Sequence, residues 1–172
     1  MYSLLPAIAA LYFLTTGYLF WRKKDHLEPS HVAFLILCSC TFAWQSTWAV
    51  LFLVNDPQLS SILVRIGYLW IIFLPTSLYQ FLVEVSQSIS ERRYVYLSYI
   101  LCLVLAIALL VTDQFVSGYY EYYWGHYPKV ATLHLVHVLQ TIIVVMRGLF
   151  LTLKREKATV EPERSILRCC KL

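Results

Sequence analysis

The sequence predicts an all-α, polytopic transmembrane bundle of about five spans, with its N-terminus outside and its C-terminus cytoplasmic. Three observations carry this. The chain is 59% hydrophobic and only 14% charged, with a mean hydropathy of +0.64, against about 25% charged residues in a soluble domain. Its apolar residues fall in unbroken blocks long enough to cross roughly 30 Å of hydrocarbon at about 1.5 Å per residue. Its basic residues cluster beside alternate blocks, which is how the positive-inside rule orients a membrane chain. The blocks lack strand alternation, so helices rather than a closed barrel must satisfy the backbone.

The first block, about 2–21, has no basic residue before it and stops at Trp21-Arg22-Lys23-Lys24, so it reads as a retained anchor rather than a signal peptide. The second, about 31–54, carries Cys38 and Cys40, and the fourth, about 94–112, carries Cys102. All three cysteines read as small hydrophobic packing residues. The third, about 62–83, holds Arg65 near its outer end and Pro75 in its middle. The fifth, about 130–153, holds His134, His137, Gln140 and Thr141 in its outer half and Arg147 near its inner end. Residues 1–153 thus form the bundle, and 154–172 a short basic tail. Eleven of the fourteen Lys and Arg residues lie in the first loop, the third loop and the tail, while the second and fourth loops carry only Lys129. An odd number of spans and the charge bias agree.

Polar residues inside apolar blocks need partners or a route to water. Arg65 either snorkels to the outer interface or pairs with Glu121, Asp113 or Asp56 at the outer mouth. Arg147 reads as a snorkelling anchor. Pro75 removes a backbone donor and predicts a kink, with Thr76 or Ser77 taking a freed carbonyl; it is a candidate hinge, although packing is the simpler role. The spacing of His134, His137, Gln140 and Thr141 puts them on one helical stripe. Hydrogen bonding between helices is its simplest use. With His126 just outside, the imidazoles form a candidate proton-sensing cluster, but no carboxylate or cysteine at ligand-like spacing supports a metal.

The stretch "GYYEYYWGHYPK", residues 118–129, packs six aromatic rings around Glu121, His126 and Lys129. Composition alone makes it an interfacial aromatic belt. Gly125 and Pro128 add the punctuation of a shaped turn, and the polar groups among the rings suit a small-ligand pocket. Cys169 and Cys170 in the tail read as unmodified thiols, with palmitoylation the alternative. No glycine-rich phosphate loop, HExxH helix, nucleophile elbow, paired intramembrane carboxylate or interior lysine appears. The expectation is therefore no enzyme, no cofactor, no metal and no nucleic-acid partner.

Several stretches carry a family resemblance. "YYWGHYPKVATLH" is similar to the outer-loop motif of the seven-helix N-terminal sensory region of bacterial histidine kinases, through Tyr123, Trp124, Gly125, Tyr127, Pro128, Lys129, Leu133 and His134. "HVAFLILCSCTFAWQ" resembles the family's second helix through Ala33, Phe34, Leu37, Trp44 and Gln45. "RIGYLWIIFLPTSLYQFLVE" resembles its third through Arg65, Gly67, Tyr68, Phe73 and Pro75. "EPERSILRCC" resembles the loop leading into a sixth helix. Lys129 departs from the pattern in being followed by Val130-Ala131-Thr132 rather than a turn rich in glycine or proline.

The resemblance implies a membrane-embedded sensory input region of a signal-transduction protein, here without helices six and seven and without its catalytic output module. Its partners would be the bilayer of a bacterial inner membrane, a small molecule or a membrane state as signal, and a cytoplasmic signalling module or a second copy of the chain. The ligand-sensing residues expected are Arg65, Glu121, Tyr123, Trp124, His126, Tyr127, Lys129, His134 and His137. The competing readings are a small transport or assembly subunit using the His134–Gln140 stripe, and a non-functional remnant.

Overall fold

The structure, a computed structural model, describes residues 2–23, 26–123 and 125–158. Lys24, Trp124 and the tail from residue 159, with Arg164, Arg168, Cys169, Cys170 and Lys171, lie outside the described residues. Five helices are long and apolar enough to cross a membrane: α1 (Leu4–Arg22), α2 (Pro29–Leu51), α3 (Pro57–Val85), α4 (Arg92–Val111) and α5 (Leu133–Ala158).

Local chemistry sets where they begin. Glu28 and His31 form a reciprocal capping box ahead of α2, and Pro29 occupies a first-turn position that needs no N–H. Asp56 Oδ1 accepts the Leu59 N–H at 2.7 Å and Pro57 follows it, so α3 starts a turn earlier than hydropathy alone suggests. With 29 residues α3 is about 43 Å long, and both its ends emerge from a hydrocarbon core. A left-handed Gln87 and the 3-10 turn Ile89–Glu91 then reverse the chain into α4.

The central helix is α3, against which α2, α4 and α5 all pack, with α1 laid on α2. An outer core gathers Leu51, Val64, Tyr68, Ile72, Leu105, Leu109 and Phe115; an inner one gathers Tyr79, Val83, Val95 and Val144. Large apolar residues such as Leu5, Leu110 and Leu135 stay well exposed, as helices facing lipid require.

Pro75 does not interrupt α3. Neither hydroxyl beside it plays the expected role. Ser77 Oγ donates to Leu74 O at 2.8 Å, and Thr76 bonds across to Ser98 Oγ at 2.6 Å. Cys102 is more than a packing residue, since its Sγ lies 3.1 Å from Ile72 O and 3.2 Å from Thr76 Oγ1.

The outer connection from α4 to α5 departs from an all-helical chain. Val116–Tyr122 (β1) and Gly125–Val130 (β2) form an antiparallel hairpin. Its pairs run from Tyr122↔Gly125 through Tyr120↔Tyr127 to Val116↔Val130, with a register shift between Val116 and Tyr119. Val130, expected in the fifth span, is therefore the last strand residue. Gly125 sits at φ +133°, and a Cβ there would lie 3.2 Å from Phe52 Cδ1 and 3.4 Å from Phe52 Cα. Both the backbone and the contact with α2 call for glycine. The ladder continues into α5 through Ala131 N–H to Phe115 O (3.0 Å) and Leu133 N–H to Gln114 O (2.9 Å).

Candidate sensory site

Arg65 joins three elements at the outer end of the bundle. It lies two turns into α3, and its Nη1 donates to Leu109 O at 2.6 Å and to Thr112 O at 3.3 Å. Its Nη2 pairs with the Asp113 carboxylate. The last carbonyls of a helix have no partner inside it, so the guanidinium both caps α4 and binds the carboxylate that follows. Of the three acids within reach of an outer-end arginine, Asp113 is the partner. Glu121 stands exposed on β1 and Asp56 is spent on capping α3.

Below the hairpin, His126 is buried and its Nδ1 is 3.1 Å from Ser60 Oγ, itself fully buried. Tyr119 meets the His126 ring edge-on at 4.6 Å. Phe115, fully buried, is the hub of the next layer. Tyr68 lies 5.8 Å from it, His134 5.6 Å and His137 6.1 Å, and the two imidazoles are 5.9 Å apart. His126 does not join them, and no group of three metal-ligating side chains occurs among the described residues.

The remaining expected residues face out. Tyr123 is 92% exposed, with its Oη 3.3 Å from that of Tyr2. Tyr127 stacks at a tilt on Trp48, ring centres 5.7 Å apart, and Lys129 Nζ stands 5.8 Å over the Tyr120 ring. The expected set thus divides into an inner layer of Arg65, His126, His134 and His137, and an outer face of Glu121, Tyr123, Tyr127 and Lys129. Trp124 lies outside the described residues.

Two clusters below this layer hold α5 in place. Mid-membrane, Gln140 Nε2 has four acceptors within reach: Ser98 O (3.1 Å), Ser98 Oγ (2.9 Å), Thr76 Oγ1 (3.3 Å) and Cys102 Sγ (3.2 Å). An amide nitrogen has two hydrogens, so the node is fully engaged on that side. At the opposite end, Arg147 is no simple snorkelling anchor. It meets Glu91 in a two-pronged pair, Nε–Oε2 and Nη2–Oε1 both 2.9 Å, while Tyr79 Oη donates to Glu91 Oε2 at 2.6 Å. The guanidinium also lies 3.9 Å over the Tyr94 ring, adding cation–π attraction. Gln140 is legible from its spacing. Phe115, Ser60 and Glu91 are not, because nothing local distinguishes them from other loop or interface residues.

The family model for the N-terminal seven-transmembrane region of histidine kinase matches residues 5–159. The chain belongs to this family. No curated protein and no solved structure matches it. As a histidine-kinase seven-transmembrane region, it is a membrane sensory input region, the non-catalytic part of such kinases, and five candidate spans of that region lie among the described residues. Of the family-like positions, Arg65, Gly67, Tyr68, Tyr127 and His134 all come together under or against the hairpin.

Proposed function

We propose that this chain is the input stage of a bacterial inner-membrane signalling protein, with the hairpin outside and the end of α5 in the cytoplasm. The outer face of Glu121, Tyr123, Tyr127 and Lys129, with Trp124 beside them in sequence, meets the stimulus, a small molecule or a change in the lipid surface. The inner layer of Arg65, His126, His134 and His137 converts a hairpin displacement into movement of the helices. A cytoplasmic signalling module, or a second copy of the chain, reads that movement at the inner ends. The chain itself performs no phosphoryl transfer.

One observation carries this reading. The hairpin ladder runs directly into α5, and α5 is held by polar contacts at three depths, at Leu133, Gln140 and Arg147. A helix held by a few polar contacts has few discrete alternatives, which is what two-state transmission needs. The Gln140 node supports a structural rather than a transport role for the stripe, because its nitrogen is consumed by bonds between helices.

The test joins residues 1–158 to a histidine-kinase output module and measures autophosphorylation in membranes. Arg65→Ala, which loosens the receiving end, and Arg147→Ala, which frees the inner end, should each shift the basal level several-fold. The unfused chain should take up no phosphate from labelled ATP. Basal activity indifferent to both substitutions would sink the transmission reading.

A further inference from the structure

His137 and Gln140 form the least satisfied pair of polar side chains in the interior. His137 is 4% exposed and Gln140 6%, and a spacing of three places them on one face of α5. The carbonyl of Ser98 can only accept, so the Gln140 nitrogen must face it, and this fixes the amide with Oε1 on the other side. That oxygen is sealed from solvent and receives no hydrogen bond, and His137 Nδ1 and His134 Nδ1 are sealed and unbonded as well. Gln140 is close enough to the His137 ring to interact with it. A buried polar atom left without a partner costs about 1–3 kcal/mol, so three along one stripe indicate that something is bound there in another state.

We propose that His137 and Gln140 form a proton-binding site in the outer half of the bundle, so that acid is a stimulus of this input region. This rests on the reading of the hairpin as the receiving end. A neutral imidazole donates from one nitrogen and accepts at the other, whereas an imidazolium donates from both. The added proton gives Gln140 Oε1 a charge-assisted donor that the neutral state leaves it to find elsewhere. A proton also needs no vacant volume, which suits a close-packed interior.

The same proton puts an uncompensated charge beside Phe115. The groups facing His137 do not offset it. On α5 there is His134, on α3 Tyr68 and above it Arg65, and on α4 Cys102. Asp113, at the end of α4, is engaged by Arg65, and in the hairpin His126 is engaged by Ser60. A charge with no carboxylate at hand must draw in water or move towards it. Either movement disturbs Phe115, which holds the root of the hairpin through its ring and through its carbonyl bond to Ala131 N–H. Protonation therefore loosens the hairpin.

The experiment uses the full chain in lipid nanodiscs. Amide exchange across Val116–Val130, corrected for the intrinsic effect of pH on exchange, is compared at about pH 7.5 and about pH 5, the range in which histidine changes charge. The parent should exchange about tenfold faster at the lower pH, a change worth one pK unit of coupling. His137→Gln should remove the pH dependence, and His126→Gln should retain it. A parent that is indifferent to pH, or a His137→Gln variant as responsive as the parent, would overturn the site. Should His137→Gln fail to fold, carbon-13 resonances of the imidazoles in the parent decide. His137 must titrate together with the hairpin, and a ring that stays neutral while the hairpin loosens rules it out. Transmission is judged apart from this, by the response of the inner end to Arg65→Ala at neutral pH, so failure of either leaves the other standing.

Discussion

Arg65 concentrates what a single residue contributes here. Its guanidinium spans two carbonyls of α4 and the Asp113 carboxylate at once. An ammonium keeps the charge but loses the planar fork, and so reaches only part of this set. Arg65→Lys should therefore loosen the hairpin nearly as much as Arg65→Ala. Each lost bond to a charged group costs about 1.5–3 kcal/mol, which is read as faster exchange across Tyr119–Tyr127. Protection equal to the parent's in both variants would reduce Arg65 to a snorkelling anchor. The need for a partner was legible in the sequence, since a charge inside an apolar block must be paired or hydrated. The choice of Asp113 over Glu121 was not, because it depends on where α4 ends and which way β1 turns its side chains. Arg147 makes the same point more sharply. Its partner Glu91 is 56 residues away and sits in a short turn with no periodicity to mark it.

The hairpin is the element hardest to read from sequence. Its alternation survives in β2, where His126 and Pro128 point in and Tyr127 and Lys129 point out. In β1 the run of tyrosines hides it, because a tyrosine suits either side of an interface. The helices, by contrast, were legible to within a turn or so, since length and hydropathy specify a span and caps such as Asp56-Pro57 specify its start. Two glycines carry distinct loads at this scale. Gly125→Ala should detach the hairpin from α2 at a cost of about 1–3 kcal/mol, because both the positive φ and the Phe52 backbone oppose a side chain. Gly148 lets α5 lie against α3, and a Cβ there would meet Leu82 Cδ1 at 2.7 Å. That methyl is the end of a flexible side chain, so Gly148→Ala should be mild while Gly148→Leu separates the helices. Chemical denaturation in micelles, followed by circular dichroism, ranks the three; a Gly148→Leu variant as stable as the parent would show that the close approach is dispensable.

For the molecule as a whole, the charge bias sets the orientation. In a chain stripped of its own cysteines, an impermeant thiol reagent applied to intact cells should label Ser117→Cys in the hairpin and spare Ser90→Cys in the turn between α3 and α4. The reverse pattern would invert the topology. The assembly is arranged so that each polar side chain inside the apolar region bonds to a different helix or to a turn between helices. What neighbours alone could not convey was this cross-bracing, because it joins segments 38 to 64 residues apart.

The link from Arg65 to Leu109 O, across 44 residues, also bears on how the chain enters the membrane during synthesis. When α3 leaves the ribosome, the carbonyls and the carboxylate that will receive its guanidinium have not been made. A lone arginine in lipid costs at least about 2.5 kcal/mol, so α3 gains by waiting at the insertion machinery until α4 arrives and entering beside it. Glu91 then waits in its turn for Arg147. Biogenesis thereby acquires a sequence of its own, α3 with α4 and then α5. A ribosome arrested before residue 109 should leave α3 still extractable by alkali, whereas one arrested beyond Asp113 should not.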